Sequence, residues 1–292
     1  MLPLAFHGIR SIDFPIIQIE PNRLTPDGAY AVRARNISIN TENEIHDDAG
    51  ARRLGYAGGL VSGVTVYAYL TRPVAERFGA DFLAGTLSRS AFFAPVYEGD
   101  ELWIEAEPGD LETGIALRAR KESGEEVAYL KISRPAALPE PRAVPQSFAR
   151  EGEARPAFSW EAVVPGEPFR SFRWHPTAEE NRAWCESVAD DSPLYTADGG
   201  GFMHPGCVLQ QANRTVGNQF LMTPWIHVSS HVAVHRALRA GDAVEVRAVP
   251  REKWEKNGHR YGLLDVAMSV DGAPAWCVEH KVIFQPAVLR TG

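Results

Sequence analysis

Nine histidines are the side chains of this 292-residue chain whose charge changes near neutral pH, and their placement is uneven. His46 closes the short polar string Asn43-Glu44-Ile45-His46, and Ser62-Gly63 then opens a long apolar run. His204 stands directly before Pro205-Gly206, preceded by Asp190-Asp191-Ser192-Pro193-Leu194-Tyr195. An imidazole or carboxylate held beside a reacting group can take up or deliver its proton. Glycine lets a backbone approach a ligand closely. The aspartate string also reads as a turn that ends a helix, with its carboxylates solvated. Three further histidines, His227, His231 and His235, recur every four residues, as ligands on one face of a metal-binding helix would. The residues between them are β-branched and alternating and predict a strand, in which four residues span roughly 13 Å, too far for one metal. No metal site is expected, and His231 or His235 is expected to face an internal tunnel or a seam. Cys185, Cys207 and Cys277 are odd in number and form no C-x-x-C pair, which predicts reduced structural thiols.

The elements that must hold these residues occur twice. Gly58–Gly63 and Gly99-Asp100 have counterparts in Gly200–Gly206 and Gly241-Asp242 at almost the same separation, the mark of an internal duplication. Ser62–Phe78 is apolar nearly all round and predicts a helix buried on several sides, while Pro205–Leu221 starts with the proline favoured at a first helical turn. Period-two runs predict strands at Glu101–Glu107, Gly114–Arg120 and Val127–Ser133, then at Ala243–Val249, Tyr261–Val270 and Ala275–Phe284. Residues 135–159, rich in proline and charge, predict a linker between an N-terminal repeat (1–134) and a C-terminal repeat (160–292). A mostly antiparallel sheet wrapped around one helix, made twice, is an α+β architecture.

A net charge of −7 with no Lys/Arg run argues against nucleic acid or a membrane surface as the main partner. The start Met1–His7 carries no basic leader, and no apolar run is long enough to span a bilayer, so a cytoplasmic location is expected.

Asn43-Glu44-Ile45-His46 followed by Ser62-Gly63 resembles the signature of the MaoC-like, (R)-specific enoyl-CoA hydratases and dehydratases, Asp-x-Asn-Pro-aliphatic-His and then a small-residue-Gly step into a central helix. Thr41 stands in place of the family aspartate and Glu44 in place of the proline. The second repeat is similar through Asp190, Pro193 and Leu194, with Ser192 for the asparagine and Tyr195 for the histidine. Neither repeat carries the whole Asp/His dyad.

The resemblance implies a double hot-dog fold, two such units joined as a pseudo-dimer, and a lyase adding or removing water across C2–C3 of an enoyl or 3-hydroxyacyl thioester. No cofactor is implied beyond the CoA or phosphopantetheine of an acyl-CoA or acyl-carrier-protein substrate. His46, Asn43 and Asp190 are the implied catalytic residues. Substrate contacts are implied for Ser62, Gly63, Tyr195, His204 and Gly206, for Gln211, where related carrier-protein dehydratases place an acid, and for Arg214 toward a phosphate. A composite site joining Asp190 to His46 is not expected, because equivalent positions of the two repeats should lie far apart. Two other readings stay open: a thioesterase, and a non-catalytic acyl-binding protein. Further assembly of pseudo-dimeric chains is also possible.

Overall fold

A computed structural model describes residues 30–39, 41–222 and 224–288, so the Met1–His7 segment considered above lies outside the described residues. The first repeat supplies β1 (Tyr30–Arg33), α1 (Asp48–Arg53), α2 (Gly63–Phe78), β2 (Thr86–Phe92), β3 (Glu101–Ala106), β4 (Ile115–Lys121) and β5 (Glu126–Ser133). The second supplies β6 (Phe172–Trp174), α3 (Ala178–Ser187), α4 (Pro205–Gln219), β7 (Ile226–Val234), β8 (Val244–Lys256), β9 (His259–Val270) and β10 (Ala273–Gln285). The ten strands form one sheet in the order β1-β3-β4-β5-β2-β7-β10-β9-β8-β6, every pairing antiparallel.

The seam between the repeats is the β2–β7 ladder, running from Thr86 opposite Val234 to Ala91 opposite Ser229. Pairing these strands removes two unpaired sheet edges, each of which would invite association with another chain. Thr86, Ser88 and Ser90 of β2 are buried on the helix side while Arg89 points outward, the alternation that a half-buried strand requires.

Helices α2 and α4 lie side by side beneath the curved sheet. Val64 through Leu70 are all buried, which explains an apolar sequence around the whole circumference of α2. The two helices approach at small residues: a Cβ on Gly206 would lie 2.9 Å from the Ala68 Cβ and 3.1 Å from the Trp184 ring.

The duplication extends to single hydrogen bonds. Leu60 bridges Tyr97 and Phe202 bridges Arg239 just before each helix. Asp100 and Asp242 accept from the backbone of Tyr97 and Arg239 at 3.0 and 2.8 Å in the two turns that follow. Gly99 and Gly241 occupy those turns at φ 84° and 92°, a conformation that glycine adopts without steric cost.

Periodicity in the sequence does not announce α1, α3, β1 or β6. Strands β1 and β6 are only 4 and 3 residues long, too short to show a period. Helix α3 is mostly polar and is held by its Thr177 cap, whose hydroxyl accepts from the Glu180 N–H at 3.0 Å. The connecting segment lies along the second repeat: Val144 is buried, Ser147 and Ser171 exchange hydrogen bonds, and Arg155 reaches back to Glu42 at 2.7 Å. No helix among the described residues is long and apolar enough to cross a membrane.

Candidate active site

A cavity of about 300 Å³ opens at the junction of the repeats, walled by Asn43, His46, Ser62 and Gly63 from the first and by Asn213, Trp225 and His227 from the second. Phe92, Val66 and Val127 supply its apolar lining. None of its described lining residues is Asp, Glu, Lys or Arg, so proton exchange near neutrality falls to imidazoles.

His46 ends a 3-10 turn (Glu44–His46) whose cap is Asn43. Its Nδ1 lies 2.7 Å from the Leu60 carbonyl. A carbonyl can only accept, so Nδ1 carries the proton and Nε2 presents a lone pair. Burial lowers the pKa of this ring, against the opposing pull of the Leu60 hydrogen bond, and leaves it neutral at pH 7. Asn43 is a clamp between repeats: its amide donates to the Trp225 carbonyl at 3.0 Å and accepts from the Trp225 N–H at 3.1 Å. Its Nδ2 also stands 3.4 Å from His46 Nε2, a long contact that orients the ring without occupying the lone pair fully.

Gly63 is the first residue of α2, and the end of the helix is open. The Ser62 hydroxyl pairs with Thr65 Oγ1 at 2.8 Å and makes no cap to the helix amides. The first N–H groups of a helix lack intrahelical partners and favour negative charge, so this end can receive an anion. On the facing wall, β7 bulges where its register against β10 shifts between Lys281 and Val282. The bulge turns His227 to the same inner face as Ser230, whereas His231 stays outside opposite Arg89 in the seam. It is therefore His227, rather than His231 or His235, that enters the cavity. His227 Nε2 lies 2.8 Å from Ser230 Oγ, which lies 3.0 Å from His280 Nδ1. The Asn213 Oδ1 is buried at the cavity without a partner among the described residues.

The second repeat is arranged differently. His204, wholly buried, caps α4 by accepting from the Gly206 N–H on Nδ1 at 3.0 Å, so its Nε2–H faces Asp190 at 3.2 Å. Asp190 also accepts from Arg72 of α2 and from the Ser192 N–H. Burial pushes this carboxyl up, but the His204 bond, the Arg72 charge and the Ser192 N–H outweigh it and hold it below the usual carboxylate range. The position equivalent to the open α2 end is thus filled by the chain's own side chain.

Asp190 and Tyr195 line a separate groove on α3 and do not meet His46; Tyr195 packs on His204 with ring centroids 4.6 Å apart. Gln211 is spent on the Cys207 carbonyl and on Arg214, whose guanidinium covers the Phe172 ring, and neither lines either cavity. Sequence reasoning grouped His46, Asn43, Ser62 and Gly63 as the structure does; it missed Asn213 and Trp225, which carry no local signal, and passed over His227 for His231 and His235, and all three reach the site only through the other repeat.

No family model and no curated protein matches the chain. Solved structures do. A protein described as a MaoC domain dehydratase from Chloroflexus aurantiacus J-10-fl is 12% identical at a TM-score of 0.60, covering 83% of this chain and 88% of its own. A Mycobacterium tuberculosis protein described as having a double hotdog fold is 12% identical at a TM-score of 0.63, covering 89% and 96%. A protein described as an oleoyl thioesterase from Lactobacillus plantarum is 11% identical at a TM-score of 0.51, covering 88% and 96%. These likenesses establish the fold, which is a double hot dog.

Proposed function

We propose that the chain is an acyl-thioester hydratase or dehydratase working in the junction cavity, with His46 as its proton-transfer group. The observation that carries this reading is the pairing, in one largely apolar cavity, of a neutral imidazole presenting Nε2 with the uncapped N-terminus of α2. The thioester carbonyl oxygen is taken to sit at the Gly63 end of the helix, with C3 toward His46. Water then gives one proton to His46 Nε2 as its oxygen bonds C3, and the displaced electron pair passes through C2 to the carbonyl oxygen. The helix amides stabilise that enolate. His46 returns the same proton to C2, the carbonyl re-forms, and the ring is neutral again. The redox state is unchanged and the atoms balance with water alone. Without a carboxylate beside it, the imidazole performs both proton steps. A cavity of about 300 Å³ lies at the small end of ligand pockets and supports a short acyl group.

Hydrolysis is the second reading, favoured by the same pair of features, since a base-activated water could instead attack the carbonyl carbon. The two are separated by product. Incubation with a short trans-2-enoyl-CoA should remove the enoyl absorbance while the thioester stays intact. Release of free CoA thiol would favour hydrolysis, and binding without turnover would leave a non-catalytic acyl-binding protein.

A further inference from the structure

His227 forms part of the cavity wall, yet one of its ring nitrogens has no hydrogen-bond partner among the described residues. That atom, Nδ1, points at the start of α2: a Cβ placed on Gly63 would lie 3.0 Å from it and 2.9 Å from Phe92. Unpartnered buried polar atoms are uncommon in folded proteins and call for an occupant. The other nitrogen is the first member of the chain His227–Ser230–His280.

The Ser230 hydroxyl has one proton and donates to only one of the two rings, so the chain runs in one of two directions. Its closed end, His280 Nε2, has no partner among the described residues either. A buried N–H without an acceptor is rarer than a buried acceptor without a donor. The assignment that puts the bare lone pair at this closed end and the N–H at the cavity end, where a ligand oxygen can accept it, has His280 Nδ1–H donating to Ser230, Ser230 donating to His227 Nε2, and His227 Nδ1–H turned toward Gly63.

We propose that His227 Nδ1–H and the first backbone amides of α2 together form the oxyanion hole for the carbonyl oxygen of an acyl thioester. The inference rests on the acyl-thioester reading above, but not on which carbon water attacks, because hydration and hydrolysis both place negative charge on that oxygen. Gly63 is then required for space, since a Cβ there would crowd the donor ring and Phe92 at about 3 Å. Burial, with His280 alongside, holds the His227 ring well below its ordinary pKa and hence neutral. A neutral imidazole polarising a carbonyl keeps its proton while donating the bond. The equivalent end of α4 cannot act in this way, because His204 presents an acceptor to Gly206.

The test is isotope-edited infrared spectroscopy of butyryl-CoA, labelled with carbon-13 at the thioester carbon and bound to the full chain. Wild type, His227→Phe and Ser230→Ala are compared, with folding checked by circular dichroism. In wild type the carbonyl band should move to lower frequency on binding. Most of that movement should vanish in His227→Phe and part of it in Ser230→Ala, where the ring loses the partner that sets its tautomer, while butyryl-CoA affinity changes little. Turnover by His227→Phe should fall on the order of 10²-fold, the scale for losing one donor of such a site. Should His227→Phe fail to fold, Ser230→Ala carries the comparison alone. An undiminished band shift in the variants overturns the proposal. Absence of butyryl-CoA binding to wild type, read by calorimetry, overturns the acyl-thioester reading and this inference with it.

Discussion

At the scale of single residues, the two candidate bases differ in what surrounds them. His46 has one nitrogen tied to Leu60 and the other facing the cavity, whereas Asp190 is already paired with Arg72 and His204. His46→Ala should lower hydration of a short enoyl-CoA on the order of 10²-fold or more, the usual contribution of a positioned acid or base. Asp190→Asn should change turnover much less. The reverse ranking in steady-state kinetics would move the chemistry to the second repeat. Because burial lowers the His46 pKa and the base must be unprotonated, kcat/KM should hold through neutrality. It should fall as pH drops through a value below the ordinary imidazole pKa of about 6.5.

At the scale of elements, Arg72 ties α2 to the turn after α3, its guanidinium crossing from the first repeat to Asp190, a carboxylate with a side chain only 3% exposed. Removing one partner of such a pair leaves a buried charge without compensation, which costs far more than the pair itself contributes. Arg72→Met should lower the urea-unfolding free energy on the order of 3 kcal/mol. Asp190→Asn should cost less, because it removes the buried charge together with the bond. Equal stability of Arg72→Met and wild type would show that Asp190 is solvated and the second site open. The His204 cap belongs to the same unit, joining the start of α4 to that carboxylate.

At the scale of the whole molecule, the seam makes the repeats mutually dependent. A fragment of residues 160–292 alone would expose the β7 edge, whose partner in the intact chain is β2. Sedimentation should find it self-associated rather than monomeric; a well-folded monomer would show that the seam is dispensable. The junction also buries imidazoles as neutral groups. Burial lowers the pKa of His46 and His227 and pushes His280 down to about 3. Below about 6.5 the unfolded chain binds protons that these folded rings refuse, so their contribution is complete above that pH and shrinks as pH falls toward 3. Denaturation at pH 7.5 and pH 5 should show the loss, and His280→Phe should make the difference smaller. An unchanged difference in that variant would mean that the carboxylates, rather than His280, govern acid sensitivity.

The amino-acid sequence alone determined the duplication, the two central helices and the grouping of Asn43, His46, Ser62 and Gly63, because periodicity, glycine turns and short motifs are local signals. The double hot dog was implied by the resemblance that the short motifs carry, and the structure bears it out. Only the tertiary structure decided what each half presents. His231 or His235 was expected to face a tunnel or the seam; His231 lies in the seam opposite Arg89, while a bulge of one residue against β10 turns His227 into the cavity. Asp190 matches the family motif, yet its role depends on Arg72 arriving from a helix more than a hundred residues earlier in the chain. His46 and His204 both stand beside glycine-led helices, one leaving the helix end open and the other closing it. That difference arises from hydrogen bonds to Leu60 on one side and to Gly206 and Asp190 on the other. Burial, tautomer and pairing depend on what folds against a residue, and no local string encodes that.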